Sequence, residues 1–180
     1  LENTSLDQVF RNVRADVLKS SNGNQRPIES SQLTGEEYYL IKNSYKALIK
    51  NIDSLIDQKE YTTALEQLSG ILMQDENNKS ALLRRGRIYS FLGNHESAIV
   101  NINLAVKMYP NDPQVYFYRG RYYAAFGHHD KSLLDLNHAL TLDSSYTNVY
   151  SYKGYVYVTF KQYDKAIFNY NKAIELAPER

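Results

Sequence analysis

The sequence predicts an all-α array of paired helices, because several classes of residue recur every 34 positions. Gly86, Gly120 and Gly154 form one series, and Tyr89, Tyr123 and Tyr157 form a second. Ala105, Ala139 and Ala173 form a third. Ala64, Ala98, Ser132 and Ala166 form a fourth that reaches one step further toward the N-terminus. Pro110 and Pro178 close the second and fourth units. A period of this length marks a supersecondary unit that buries its apolar face by stacking on its neighbours.

Each unit reads as two helices. Asp112-Pro113 opens a first helix, with a side-chain acceptor at the N-cap and a proline where no amide donor is lost. Leu82, Arg85, Tyr89 and Leu92 then fall at helical spacing, as do Tyr116, Tyr123 and Phe126. Breaks follow at Gly93-Asn94, Gly127-His128 and Lys161-Gln162. Asn94 is placed to cap a second helix striped by Ala98, Ile99, Ile102, Ala105 and Val106. Pro110 stops that helix, because it lacks an N–H and crowds the preceding turn.

The small residues have a packing reason. Helix axes approach to about 8–10 Å only where the contact side chains are small. Gly86 and Ala98 are expected where the two helices of one unit cross, and Ala105 where the second helix meets the next unit.

A helix-turn-helix unit of this length, with Gly, aromatic, Ala, Ala and Pro at these offsets, resembles the tetratricopeptide repeat. The resemblance covers units 45–78, 79–112, 113–146 and 147–180. The first is degenerate: Ile52, Ile71 and Glu76 stand where Gly, Ala and Pro are expected, while Tyr61 and Ala64 keep the phase. Ser132 and Ser144 are milder departures. The resemblance implies a right-handed superhelical solenoid whose concave groove, lined by first helices, holds a partner peptide. Mapped by phase, the groove residues are Lys46, Ile49, Lys50, Asp53, Leu83, Arg84, Arg87, Phe91, Phe117, Tyr118, Arg121, Tyr152 and Tyr155. This surface is rich in Arg and Tyr, which bury much area and keep a polar tip, so the expected partner is a protein segment with acidic and apolar side chains. Self-association through the last unit is the alternative.

The first forty-four residues lie outside the period. Ser5 to Gln8 is a capping box, and Leu6, Phe10, Val13 and Val17 share a face, which predicts a helix over 5–19. Residues 20–33 read as a loop. Thr34 to Glu37 is a second capping box, which predicts a long helix from Gly35 into the first unit. Residues 5–40 also resemble the C-terminal end of a bacterial caspase-like peptidase domain of clan CD, through Asn22, Gly23, Gln25, Pro27, Ser31, Leu33, Thr34, Gly35 and Tyr38. That resemblance implies a strand over Glu37 to Leu40. It also implies that the array is the sensor or targeting module of a caspase-like protease; a free-standing adaptor unrelated to any protease is the alternative to that. Leu1 is not an initiator Met, so the chain reads as a fragment or a processed product, with any catalytic His and Cys upstream.

The totals bound the chemistry. The chain has no Cys, so it carries no thiolate nucleophile or thiolate metal site and is expected not to be an enzyme. A net charge of +1 gives no field for nucleic acid, and no apolar run suits a membrane span. No cofactor or metal is expected, and a cytoplasmic location is the default. His128-His129 is a turn pair whose side chains diverge. His95 and His129 are expected to pack in turns, where Tyr61 and Tyr163 stand in the other units, and His138 is alone on its helix. Arg85, Arg119 and Lys153 precede the glycines and are given no role.

Overall fold

The computed structural model describes residues 35–177, with side chains from residue 46 onward. The helix predicted over 5–19 and the loop over 20–33 lie outside that range, as do the caspase-like string before Gly35 and Pro178. Eight helices are described: α1 (Gly35–Asp57), α2 (Tyr61–Gln74), α3 (Lys79–Phe91), α4 (His95–Met108), α5 (Pro113–Ala125), α6 (His129–Leu142), α7 (Thr147–Thr159) and α8 (Tyr163–Leu176). The described residues contain no strand. The strand implied for Glu37 to Leu40 is therefore corrected: those residues lie inside α1. The backbone there follows the other expectation, a long helix running from Gly35 into the first unit.

The chain divides into two compact units, residues 1–46 and residues 47–180. Within the second unit, α3 packs on α4, α5 on α6 and α7 on α8. Each second helix then packs on the following first helix, and successive first helices α3, α5 and α7 also touch. This is a helix-turn-helix solenoid.

Local chemistry sets the boundaries. Asn78 accepts from the Ala81 amide at 3.1 Å, Asn94 from Ser97 at 3.0 Å and Asp112 from Gln114 at 2.8 Å, so α3, α4 and α5 begin on side-chain caps. Within each unit the turn after the first helix uses a left-handed residue at a constant phase: Lys59 (φ 63°), Gly93 (70°), Gly127 (78°) and Lys161 (57°). Gly reaches that region without penalty, whereas the two lysines are held there against their Cβ. Between units, the Tyr116 hydroxyl donates to the Pro110 carbonyl at 3.0 Å, and Tyr150, one period on, to Ser144 at 3.1 Å.

The small series do pack, with one shift from expectation. A Cβ on Gly120 would lie 3.1 Å from Leu136 and 3.2 Å from the Ser132 carbonyl, and one on Gly154 would lie 2.7 Å from the Tyr170 ring. Both neighbours belong to the same unit. A Cβ on Gly86 would first meet Tyr122 of the next unit, at 3.0 Å, and only then the Ala98 carbonyl, at 3.5 Å. Gly86 thus serves a junction between units as well as the crossing within its own. Ala64, Ala98, Ala105, Ala139, Ala166 and Ala173 are all buried, and Pro110 is exposed just beyond α4. In the degenerate first unit Ile52 and Ile71 fill the places of Gly and Ala and are fully buried.

Candidate protein-binding groove

The first helices meet along two grooves that are copies of each other. One, of about 200 Å³, is lined by Asp53, Ser80, Leu83, Arg84, Arg87, Gln114 and Tyr118. The other, of about 520 Å³, includes Gln114, Phe117, Tyr118, Arg121, Asn148 and Tyr152, and adds Tyr146, Ser151 and Tyr155. Six positions correspond one period apart: Ser80 with Gln114, Leu83 with Phe117, Arg84 with Tyr118, Arg87 with Arg121, Gln114 with Asn148, and Tyr118 with Tyr152. Repetition of the backbone repeats the cavity, and sequence then fills each copy differently.

In the first copy the cations are engaged from within. Arg84 donates from Nε to Oδ1 of Asp53 at 2.8 Å and from Nη2 to Oδ2 at 2.7 Å. Arg87 reaches Asp57 at a long 3.5 Å and lies 5.3 Å from the Phe91 ring centroid. In the second copy the cation is framed by rings. The Arg121 guanidinium lies 5.6 Å from the centroids of Phe117 and Tyr118 and 5.5 Å from that of Tyr152. Among the described residues no carboxylate forms an ion pair with it. Burial raises the Tyr152 phenol above its ordinary value despite Arg121, and pushes Tyr146 up to about 12. These hydroxyls are neutral donors at physiological pH.

The structure sorts the residues mapped by phase. Arg84, Arg87, Tyr118, Arg121, Tyr152 and Tyr155 line the grooves. Leu83 and Phe117 form the floor and are buried, so they pack the core as well as facing the groove. Phe91 is exposed and lines neither groove; it stacks on Tyr61 with centroids 6.0 Å apart. Lys50 is exposed and also lines neither. Lys46 is exposed and belongs to the unit of residues 1–46. The sequence reading omitted Ser80, Gln114, Asn148, Ser151 and Tyr146. Ser80, Gln114 and Asn148 are one period apart, a polar series that marks three of them.

The remaining candidates have structural work. His95 stacks on Phe126 at 3.8 Å and His129 meets Phe160 edge-on at 5.3 Å, so both pack the turn of one unit on the next. His138 packs edge-on against Tyr116. Arg85 bonds Asn101, and Arg119 grips Asp135 with two bonds of 2.8 Å, tying first helix to second. Lys153 holds the same phase, and burial lowers its pKa. Among the described residues no helix is long and apolar enough to cross a membrane.

Comparison with known proteins agrees with this geometry. Tetratricopeptide repeat patterns match residues 55–116 and 148–180. Over 70 residues, 39% of this chain, the sequence is 33% identical to a DnaJ protein P58IPK homolog of Arabidopsis thaliana. The match spans 14% of that relative's length. Among solved structures, MamA superposes with a TM-score of 0.58 at 25% identity, over 71% of this chain and 74% of that one. A thermophilic TPR protein in Thermus thermophilus superposes at 0.69 and 20% identity, over 97% and 86% of the two chains. This chain therefore carries tetratricopeptide repeats, and its described helices form an all-α tetratricopeptide-repeat fold.

Proposed function

We propose that this array is a protein-interaction scaffold that binds an extended segment of a partner along the first-helix grooves. The observation that carries the reading is the repetition of one groove at consecutive junctions, walled by Arg and Tyr and floored by buried apolar residues. A chain lying across both copies would bury side chains on the floor and bond at the walls, as hot-spot chemistry favours. The test is selection from a displayed library of random dodecapeptides on the full 180-residue chain. Selection of related peptides, lost in the double variant Tyr152→Ala/Tyr155→Ala with unchanged helical content, supports the groove. Equal selection by that variant rejects it.

A second reading, self-association, is favoured by the last helix. Tyr163, Ile167, Tyr170 and Ile174 make one stripe on α8, exposed by 58%, 57%, 37% and 62%. Leu68, Ile102 and Leu136, the counterparts of Tyr170, are fully buried. A second copy stacked there would continue the same interface. Sedimentation over a concentration range tests it: a dimer abolished by Ile174→Lys supports the contact, and a monomer throughout removes it. The finer reading, service to a caspase-like protease, rests on the string from Asn22 to Tyr38 alone, and its expected strand is helix.

A further inference from the structure

We infer that the groove reads a single carboxylate of its partner, at Arg121, because Asp53 already occupies the fork of Arg84. This inference rests on the groove being the binding site and adds which charge it recognises, and where.

The argument is geometric. A guanidinium has two separable recognition surfaces: planar faces that stack on rings, and an edge fork of N–H donors that matches a carboxylate. Three rings at 5.5–5.6 Å surround the Arg121 group and limit the orientations open to it. The Tyr152 hydroxyl meets one donor of its edge, no carboxylate among the described residues pairs with the rest, and a fork held among rings loses little entropy when a carboxylate arrives. Arg121 also faces the larger of the two grooves.

Arg84 shows the alternative outcome on the same surface. Its Nε and Nη2 are both taken by the oxygens of Asp53, with bonds of 2.8 and 2.7 Å. That pair is an internal example of the acid recognition that the groove can perform. It also consumes that recognition: a partner acid at Arg84 would have to displace a covalently tethered competitor. One period on, Tyr118 stands in place of Arg84 and Arg87 in place of Asp53, so the second groove has neither member of the pair, and Arg121 is the counterpart of Arg87. The acid-reading role thus passes to the junction of the last two units.

The test uses the same dodecapeptide display on three full-length proteins. The wild-type chain is expected to select peptides with Asp or Glu at one fixed position beside apolar residues. Arg121→Gln should still select peptides by their apolar residues and lose the acidic position. For a synthetic peptide from the wild-type pool, Arg121→Gln should weaken binding on the order of tenfold to a hundredfold, the range for hydrogen bonds to a charged group. Arg121→Lys, which keeps charge without the fork, should lose most of that affinity too. Asp53→Ala should add a second acidic position. Retention of the acidic preference in Arg121→Gln, or no second position in Asp53→Ala, overturns the inference while leaving peptide binding intact. No selection by the wild-type chain overturns the groove reading itself. Circular-dichroism melts of each variant separate lost binding from lost folding.

Discussion

The Tyr122 hydroxyl donates to the Leu83 carbonyl at 2.8 Å, joining first helices of successive units through residues 39 apart in sequence. The Tyr122 ring lies against Gly86, the one place where a Cβ on that glycine would be pressed at 3.0 Å. Burial is the main cause that raises the Tyr122 phenol well above its ordinary value of 10.0.

That shift carries a sign. Above about pH 10 the unfolded chain loses a phenolic proton that the folded chain keeps, so rising pH favours unfolding. The stability is fully present below that pH and drains as pH climbs through the folded value. Tyr146, pushed up to about 12, and Tyr152 act in the same direction. The melting temperature should be level from about pH 7 to 9 and fall above about 10. Tyr122→Phe should cost about 1 kcal/mol at neutral pH, for the lost hydrogen bond, and flatten the alkaline fall. An alkaline slope identical in the two proteins would contradict this.

Much of the fold is legible because a single period governs it. The glycine and alanine series locate the helix pairs, and Asp112, Asn94 and Pro110 mark ends that the backbone respects. The turn at Lys59 was not legible: a lysine carries no signal for a left-handed backbone, although its place one period before Gly93 does. The groove was half legible. Phase assigned Asp53 and Arg84 to one surface, but their pairing depends on how far one unit is rotated on the next, which periodicity does not encode. Without that pairing, Arg84 looks as available as Arg121. Glu37 to Leu40 shows the converse: the backbone is helical there, against the strand that a remote resemblance implied.

The Arg84–Asp53 pair also changes what a substitution there should do. From sequence, alanine at Arg84, Arg87 and Arg121 is expected to leave thermal stability untouched. The two-pronged pair predicts that Arg84→Ala lowers it instead. A double-mutant cycle with Asp53→Ala should return a coupling of about 0.5–1 kcal/mol, typical of a partly exposed pair with good geometry. The coupling should shrink in about 1 M salt, where screening acts within about 3 Å. A coupling of zero in dilute buffer would show the pair to be energetically idle.

Two glycines should respond oppositely to the same change. Gly70 lies within α2, and a Cβ there meets nothing within 4 Å, so Gly70→Ala should raise stability by about 1 kcal/mol from helix propensity. Gly120→Ala presses on Leu136 and the Ser132 carbonyl and should cost about 1–3 kcal/mol. Urea unfolding of both variants checks this, and a matching sign would contradict the packing assigned to Gly120.

Left-handed lysines offer a third change. Lys59→Gly and Lys161→Gly remove a strain of roughly 1–2 kcal/mol, part of which returns as backbone entropy of the unfolded chain. Each should stabilise by up to about 1 kcal/mol in thermal unfolding. Gly127→Ala, at the same phase, should destabilise by a similar amount. A loss of stability in both lysine variants would contradict the turn geometry.

The central claim, that partners lie along the first helices, is tested most directly by site-specific photocrosslinking. A benzophenone side chain in place of half-exposed Tyr155, on the groove wall, is compared with one in place of Met73, which is 89% exposed on the second helix α2. With a peptide taken from the dodecapeptide selection, crosslinking at position 155 and none at position 73 is the predicted result. Crosslinking at 73 with none at 155 would place the partner on the second helices and contradict the account.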